Sequence, residues 1–407
     1  MKKKIQIEML GLLLYAIILT CVFFQPVVGR YNTTIFAFSY RWGFMSRGLI
    51  GTIFQSLSQI LPGNLMTYRG TQLFSVGMDL IFVLVLLLFF YECLMRSDKS
   101  LNHGMIACMF VLGTFAFPEY LTFVNMGRVD SVMAVLTMIG VWLLMKGKWE
   151  WLVIPISALG VCVHQGYVLM FAGVLWVILL TKVIDKPQNE KTKYILILAI
   201  SILICGILFL YFNYFSHSGG MEVYDQIYKL AASISGDGTV HKQLIEHEVL
   251  GIDPAADEWS THIFNFRETV IFAALTLPYW LTAFIFFFRC IKQAGNFWKR
   301  VKYLVIALGP FFMLLPDFLL KIDYGRWMFC MVFEYFILIF ALLVSGDNII
   351  IYNFHKTAQG LKKHPIVCGI MLLYPLVLTP MGDIWITKWS KIITSIVMGI
   401  PEGAMIF

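Results

Sequence analysis

Charged residues are scarce in this chain. Only 14% of its 407 residues are Asp, Glu, Lys or Arg, whereas 59% are hydrophobic, and the mean hydropathy is +0.78. A soluble domain of this length could not bury so much apolar surface. The runs 71–91, 194–213 and 269–288 hold at most one charged residue each. Each run is long enough to cross about 30 Å of hydrocarbon, so the chain is predicted to be an integral membrane protein.

Several motifs of soluble enzymes are also missing. The eight cysteines are scattered singly without a CxxC pair, so neither a disulfide framework nor a cysteine metal site is expected. His241 and His247 form only a weak zinc pattern, and we predict no metal and no cofactor. There is no P-loop and no glycine-rich dinucleotide motif. The pI of about 8.9 is attributed to cytoplasmic loops and not to nucleic-acid binding.

Alternating-polarity strands are absent as well, so we predict an all-α fold, a polytopic transmembrane helical bundle of about 11–12 spans. Lysines at positions 2–4 predict a cytoplasmic N-terminus. Residues 29–70 form the first outer loop, and within it 49–61 is too short to cross easily, so it is predicted to be an interfacial helix. Residues 216–267 form one larger, polar outer loop. Residues 1–407 are treated as a single membrane domain.

The predicted spans follow the apolar runs and the basic clusters between them. Residues 151–181 are apolar with basic residues at both ends, so they are predicted to form two short helices that meet at His164–Gly166. The other spans are placed at about 7–28, 71–94, 103–117, 129–146, 194–214, 268–288, 303–316, 327–345 and 365–379, with the tail after Pro380 left open.

Arginine and lysine divide differently between the two predicted sides. The inner side has 16 lysines and three arginines, and the outer side has five lysines and seven arginines. Lysine follows the positive-inside rule and arginine runs against it. A guanidinium binds phosphate or carboxylate through paired hydrogen bonds and keeps its charge when desolvated. The outer arginines therefore favour an anionic ligand, with structural ion pairs as the alternative.

The stretch 41–51 is the most distinctive motif. Arg41 and Arg47, six residues apart, flank Trp42 and Gly43, and Arg47 precedes the predicted interfacial helix. Free N–H groups at a helix start, together with two guanidiniums, make a plausible anion site. An interfacial anchor that grips lipid headgroups is the other interpretation.

A second group lies in the loop before the span at 129–146. Arg128 and Asp130 sit two residues apart there, and Glu119 lies on the same predicted outer loop. A carboxylate at this depth is costly unless it is paired or used. Glu119 and Asp130 are therefore candidate general bases, and loop salt bridges are the alternative.

The remaining candidates come from apolar surroundings. His164 lies inside an apolar run beside Gly166 and Tyr167, and it is read as either catalytic or a hydrogen-bonded core histidine. Asp79 is a further acid near the outer end of its span. Asp323 and Arg326 join two spans outside, where an i,i+3 salt bridge is also possible. The candidate ligands for a headgroup are Arg41, Arg47, Arg128, Asp323, Arg326, Trp42 and Tyr167.

These motifs and this architecture resemble bacterial envelope-polysaccharide proteins, namely Wzy-type polymerases and glycosyltransferases of the GT-C fold. The resemblance implies a multi-pass protein of the bacterial inner membrane. It also implies a polyprenyl-linked glycan as substrate, with membrane lipid and other polysaccharide-assembly proteins as partners. Enzymes of the GT-C type usually carry an acidic residue in the first outer loop, and residues 29–70 hold no Asp or Glu. This departure favours the polymerase reading.

The expected function is glycosyl transfer on the extracytoplasmic face, in capsule, exopolysaccharide or O-antigen assembly. The outer arginines would clamp a polyprenyl pyrophosphate, and Glu119, Asp130, His164 or Asp79 would serve the acceptor. A flippase or transporter for the same lipids is the first alternative, although it would need polar groups through the span centres. A non-catalytic membrane scaffold is the second alternative.

Overall fold

The computed structural model describes residues 27–96, 126–216, 219–252, 266–320, 324–367 and 370. All regular secondary structure in these residues is helical, which confirms the predicted all-α class. The chain divides into two compact units. The first unit comprises 26–89 and 125–263, and the second comprises 1–25, 90–124 and 264–407. The prediction of one membrane domain over 1–407 stays a prediction.

The first unit begins with two short helices that pack on each other. The first three described α-helices are α1 (Arg30–Ala37), α2 (Gly48–Ile60) and α3 (Tyr68–Arg96). Helix α2 confirms the helix predicted over 49–61. The contact between α1 and α2 depends on Gly51, because a Cβ there would lie 1.8 Å from the Phe38 carbonyl oxygen. Gln55 reinforces the contact, since its side-chain amide donates to the Phe36 carbonyl at 3.1 Å.

A helical bundle follows, with a break where the sequence predicts one. Helix α5 ends at Val163, and His164 has an extended backbone (φ −163°, ψ 129°). A second break at Phe171 separates the four-residue α6 from α7. The bundle consists of α4 (Asp130–Lys146), α5 (Val153–Val163), α6 (Tyr167–Met170), α7 (Ala172–Asp185) and α8 (Gln188–Tyr214).

The predicted polar outer loop at 216–267 is helical over much of its described part. It contains α9 (Gly220–Ile234), α10 (Lys242–Ile245) and a π-helix (Glu246–Leu250). Helix α9 packs on α1 and buries Ile227, Ala231 and Ile234. These three residues follow an i, i+4, i+7 pattern, which lines one face of a helix. The sequence analysis did not predict these helices, because the high polarity of the stretch masked that short periodicity, and the outer position of the segment stays a prediction.

The second unit contains α11 (Phe266–Gln293), α12 (Phe297–Leu320), α13 (Tyr324–Val344) and α14 (Asn348–Lys363). Asp347 organises the sharp bend between α13 and α14. Its carboxylate accepts from Lys302 at 2.6 Å and from Tyr303 at 2.6 Å. It also accepts from the backbone N–H of Ile350 at 3.0 Å, in the first turn of α14. The bond from Ile350 satisfies a backbone N–H in the first turn of α14, which has no partner within the helix.

Two described helices are long and apolar enough to cross a membrane, Tyr68–Phe89 and Gln188–Tyr214. A third span results if the pair bent by 117°, Cys330–Val344 with Asn348–Thr357, counts as one. The membrane character is thereby supported, and the total of 11–12 spans stays a prediction. The predicted spans at 7–28 and 103–117 lie largely or wholly outside the described residues, as does most of the span at 365–379.

Candidate functional site

Two arginines from distant segments converge on one tyrosine ring. The guanidinium carbon of Arg47 lies 6.0 Å from the ring centroid of Tyr31, and that of Arg128 lies 5.6 Å from it. Both arginines are nearly buried, with exposed fractions of 8% and 7%. A guanidinium over an aromatic face is stabilised by the ring quadrupole. The fold therefore gathers two of the predicted arginines at one place.

Arg47 has an unusual backbone and a specific partner. It precedes α2 in the left-handed conformation, with φ 60°, which non-glycine residues rarely adopt. Its Nη1 lies 3.0 Å from Oε1 of Glu248. The Arg47 Nε is buried without a hydrogen-bond partner among the described residues. The arrangement therefore holds a buried cation with donor capacity remaining.

Glu248 is a functional candidate that the sequence reasoning missed. It lies in the π-helix Glu246–Leu250 and is 1% exposed. Structural ion pairs were the alternative for the outer arginines, and Arg47 does form one, with Glu248. Val249, which follows Glu248 in the same π-helix, is also buried where the helices pack. No local sequence signal marks a π-helix, although π-helical turns are frequent at functional sites.

His241 lies edge-on to the same tyrosine, with ring centroids 5.4 Å apart. Its Nδ1 accepts a hydrogen bond from the Leu244 backbone N–H at 3.2 Å, so Nε2 carries the proton of the neutral ring. Burial lowers the pKa of His241 below its ordinary 6.5, and the positive charges of Arg30 and Arg47 lower it further. His241 is therefore a neutral hydrogen-bond donor near pH 7. We call Tyr31, Arg47, Arg128 and His241 the Tyr31 cluster.

The loop that carries Arg128 is tied to α1 and α3. The Asn32 side-chain amide donates to the Met126 carbonyl at 2.9 Å. Gly127 has φ +89°, and a Cβ there would lie 2.7 Å from the Ser75 hydroxyl. A close approach in the left-handed region requires glycine. Close packing thus fixes the position of this loop, which directly precedes α4 in the sequence.

Two of the predicted acids belong to this region. Asp130 is the first residue of α4 and is fully buried. The Asp79 carboxyl on α3 hydrogen-bonds with the Ser131 side chain, which follows Asp130 in sequence. Asp79 and Asp130 are therefore brought to the start of α4, next to Arg128. Glu119, the third predicted acid near this loop, lies outside the described residues.

His164 precedes a residue that contacts the segment between α1 and α2. The Ser46 hydroxyl, next to Arg47, donates to the Gln165 side-chain oxygen. His164 Nδ1 accepts from the Gly166 backbone N–H at 2.9 Å, so its neutral ring carries the proton on Nε2. This geometry suits a hydrogen-bond donor, because the lone pair that would take up a proton lies on Nδ1 and already accepts from Gly166.

Tyr167 does not fit its predicted role as a ligand contact. Its ring is completely buried, and its hydroxyl lies 3.2 Å from the Thr137 hydroxyl on α4. Gly160 on α5 admits the ring, since a Cβ there would lie 2.5 Å from it. Tyr167 packs α4 and α5 together, which leaves no face for a ligand.

Arg41 and Trp42 form a separate, more exposed pair. The Arg41 guanidinium carbon lies 4.1 Å from the Trp42 ring centroid. Arg41 is exposed and Trp42 is half-buried. This arrangement fits the interfacial anchor as well as it fits ligand binding.

Arg326 lies in the second unit, where it is buried near the start of α13. Its predicted companion Asp323 lies outside the described residues. Among the described residues, no group of His, Cys, Asp or Glu could hold a metal ion. No known protein family, curated protein or solved structure matches this chain.

Proposed function

We propose that the protein transfers glycosyl groups on the outer face of a membrane. Its donor substrate is a glycan linked to a polyprenyl pyrophosphate, and the Tyr31 cluster binds the pyrophosphate. One observation carries this proposal: Arg47 and Arg128, from two predicted outer segments, place nearly buried guanidiniums at one tyrosine ring. Burying two cations together is unfavourable unless anions neutralise them. Glu248 supplies one negative charge to Arg47, and the Arg47 Nε, which has no hydrogen-bond partner among the described residues, is available to a diphosphate.

The chemistry assigned to the cluster is stabilisation of a leaving group. The acceptor hydroxyl oxygen bonds to the anomeric carbon while the bond from that carbon to the pyrophosphate oxygen breaks. The pyrophosphate leaves with the bonding electrons, and the two guanidiniums stabilise its charge. The neutral His241 adds an N–H donor without a further positive charge.

The acceptor's proton is assigned to a carboxylate. Asp130 and Asp79 lie at the start of α4, beside Arg128, and Glu119 stays a candidate. His164 is assigned the role of donating a hydrogen bond from Nε2 to one of the two reacting sugars, because its Nδ1 already accepts a hydrogen bond. Arg41, Trp42 and Arg326 remain candidates for contacts with the lipid headgroup.

The cellular setting is part of the same proposal. The protein would reside in a bacterial inner membrane with a cytoplasmic N-terminus, and it would work in capsule, exopolysaccharide or O-antigen assembly with other membrane proteins. A polymerase is preferred over a single-sugar transferase because residues 29–70 hold no acidic residue.

The deciding experiment is deletion of the gene in its host, followed by analysis of surface polysaccharide and lipid-linked intermediates. Accumulation of complete single repeats on the outer leaflet supports a polymerase, and a glycan lacking one sugar supports a single-sugar transferase. Repeats trapped on the inner leaflet would instead indicate a flippase. An unchanged profile of polysaccharide and lipid-linked intermediates would contradict all three of these roles and favour a scaffold or an unrelated role.

Complementation with variants links the phenotype to the Tyr31 cluster. Arg128→Gln should fail to restore the polysaccharide while reaching the membrane at the wild-type level, because it removes one of the two guanidiniums. Lys229→Gln, which changes an exposed cation on the predicted outer helix α9, is the matched control and should restore it. Restoration by both variants would remove the Tyr31 cluster from the mechanism.

A further inference from the structure

The turn between α4 and α5 carries lysines and tryptophans in an unusually constrained backbone. Trp149 is 76% exposed and Trp151 is 45% exposed, and Lys148 is exposed beside them. Gly147 and Trp149 are both left-handed, with φ 66° and φ 55°. A tryptophan rarely adopts that conformation, so the surrounding structure must hold it there. We call residues 146–152 the lysine–tryptophan turn.

Glu150 anchors this turn from inside. Its side chain is fully buried and contacts Lys182 at 3.4 Å and Lys193. It also accepts a hydrogen bond from the Tyr194 hydroxyl at 3.0 Å. Burial alone would raise the pKa of Glu150, but the hydrogen bond from Lys193 and the charge of Lys182 bring it below its ordinary value. The carboxylate therefore stays ionised and joins the turn to the end of α7 and the start of α8.

The surface around the turn is cationic. Lys146, Lys148, Lys182 and Lys193, with Lys186 and Lys191 beside them, contribute six positive charges, and Glu150, Asp185 and Glu190 contribute three negative charges, which leaves a net charge of +3. The Lys182 and Lys193 ammonium nitrogens also lie 5.2 Å and 5.5 Å from the Tyr194 ring. The nearby Lys186 is neutralised by Glu190 at 3.0 Å. The surface is thus suited to an anionic partner.

Helix α4 separates this surface from the Tyr31 cluster. Asp130 begins the helix, next to Arg128, and Lys146 ends it after 17 residues. At 1.5 Å per residue these ends are about 26 Å apart, close to the roughly 30 Å of a hydrocarbon core. The two polar regions therefore match the spacing of the two faces of one bilayer.

We propose that the lysine–tryptophan turn, together with Lys182 and Lys193, binds anionic phospholipid headgroups in the leaflet opposite the Tyr31 cluster. Tryptophan favours the headgroup level of a membrane, and lysines near the surface are attracted to anionic lipids. The rigid turn places both residue types at one depth. This binding is independent of glycosyl transfer.

The test uses the purified full chain in detergent, with lipid binding followed by native mass spectrometry. The probes are dioleoylphosphatidylglycerol, which is anionic, and dioleoylphosphatidylcholine, which is zwitterionic. The double variant Lys146→Gln/Lys148→Gln leaves the Glu150 contacts in place. We expect it to weaken binding of the anionic lipid about fivefold for each lysine removed and to leave the zwitterionic lipid unchanged.

Lys229→Gln/Lys242→Gln is the matched control, since it removes two exposed cations from the predicted opposite side of the same unit. It should leave anionic-lipid binding at the wild-type level. The proposal is overturned if the wild type binds both lipids equally, if the turn variant binds as the wild type does, or if the control loses as much affinity. A thermal melt verifies folding, and Lys148→Gln alone provides the same comparison if the double variant does not fold.

Discussion

At the residue scale, the burial of Arg47 decides what the Tyr31 cluster can do. A buried guanidinium needs a counter-charge, and Glu248 provides it at 3.0 Å. Removing one member of a buried ion pair leaves the other charge without compensation, which costs more than removing both. The pair therefore also connects the start of α2 to the π-helix.

The Arg47–Glu248 pair gives a stability prediction. Arg47→Asn keeps a residue that tolerates the left-handed backbone, and it should lower the free energy of unfolding by about 3 kcal/mol. Arg47→Asn/Glu248→Gln should lose less than the sum of the two single variants, because both charges are gone. Denaturant unfolding in detergent measures all three. The exposed Arg41→Asn is the control, and additive losses would show that the two residues do not interact.

His241 gives a pH prediction at the same scale. Its pKa is lowered in the folded protein, so the unfolded chain binds the His241 proton more readily. Stability should therefore fall as the pH decreases through about 6.5 toward 5, and it should be fully present above that range. Melting temperatures measured from pH 8 to 5 should fall less steeply in His241→Gln than in the wild type. Identical slopes would exclude a depressed pKa.

At the element scale, close packing at glycines positions the helices around the site. Gly51 sets α2 against the Phe36–Phe38 backbone, and Gly127 sets the Arg128 loop against Ser75. A side chain at either glycine would push apart segments that carry Arg47 or Arg128. The geometry of the Tyr31 cluster thus depends on residues that do not touch it.

Gly51→Ala is expected to be strongly destabilising. Its Cβ would overlap the Phe38 carbonyl oxygen at 1.8 Å, and overpacking of this kind costs about 1–3 kcal/mol or more. Gly77→Ala in α3 is the matched control, because nothing lies within 4 Å of its Cβ; there the better helix propensity of alanine should slightly stabilise the protein. Thermal melts of both variants give the comparison. Equal effects would mean that α2 does not pack as described.

Glu150 connects three elements, and its pKa gives a second pH prediction. The folded pKa lies below the ordinary 4.5, so its contribution is present above about pH 4.5 and is lost as the pH falls through the folded value. Glu150→Gln should lower the melting temperature at pH 7 and narrow its difference from the wild type near pH 3. A difference that stays constant with pH would contradict the ion pairs with Lys182 and Lys193.

At the scale of the whole molecule, the two ends of α4 carry different cations. Arg128 stands before its start, and Lys146 ends it. In the topology predicted from the lysines, Lys146 among them, the lysine–tryptophan turn faces the cytoplasm.

Cysteine labelling tests this topology. In whole cells, a membrane-impermeant maleimide should label Lys229→Cys, whereas Lys148→Cys should react only after permeabilisation. Both positions are exposed, so accessibility and not burial decides the result. The wild type serves as the background control for the native cysteines, of which Cys205, Cys290 and Cys330 are buried and Cys162 is half-buried. The reverse pattern would invert the orientation, and labelling of both residues would place them on one side.

The sequence by itself determined the features that depend on local composition. Low charge and long apolar runs indicated a membrane protein of helices, and short-range pattern located α2 and the break at His164–Gly166. It also named Arg47, Arg128 and Asp130 as site residues, since buried or interfacial charges are costly wherever the fold places them.

Only the tertiary structure decided which of these residues meet. Glu248 contacts Arg47 and His241 contacts Tyr31 across about 200 residues of chain, and no local periodicity encodes such pairings. Tyr167 was predicted as a ligand contact and is instead buried, because Gly160 has no side chain and leaves room for the tyrosine ring. An aromatic ring can stabilise a protein core or contact a ligand, and the sequence pattern is the same in both cases. Only the packing of α4 on α5 shows that Tyr167 is a core residue.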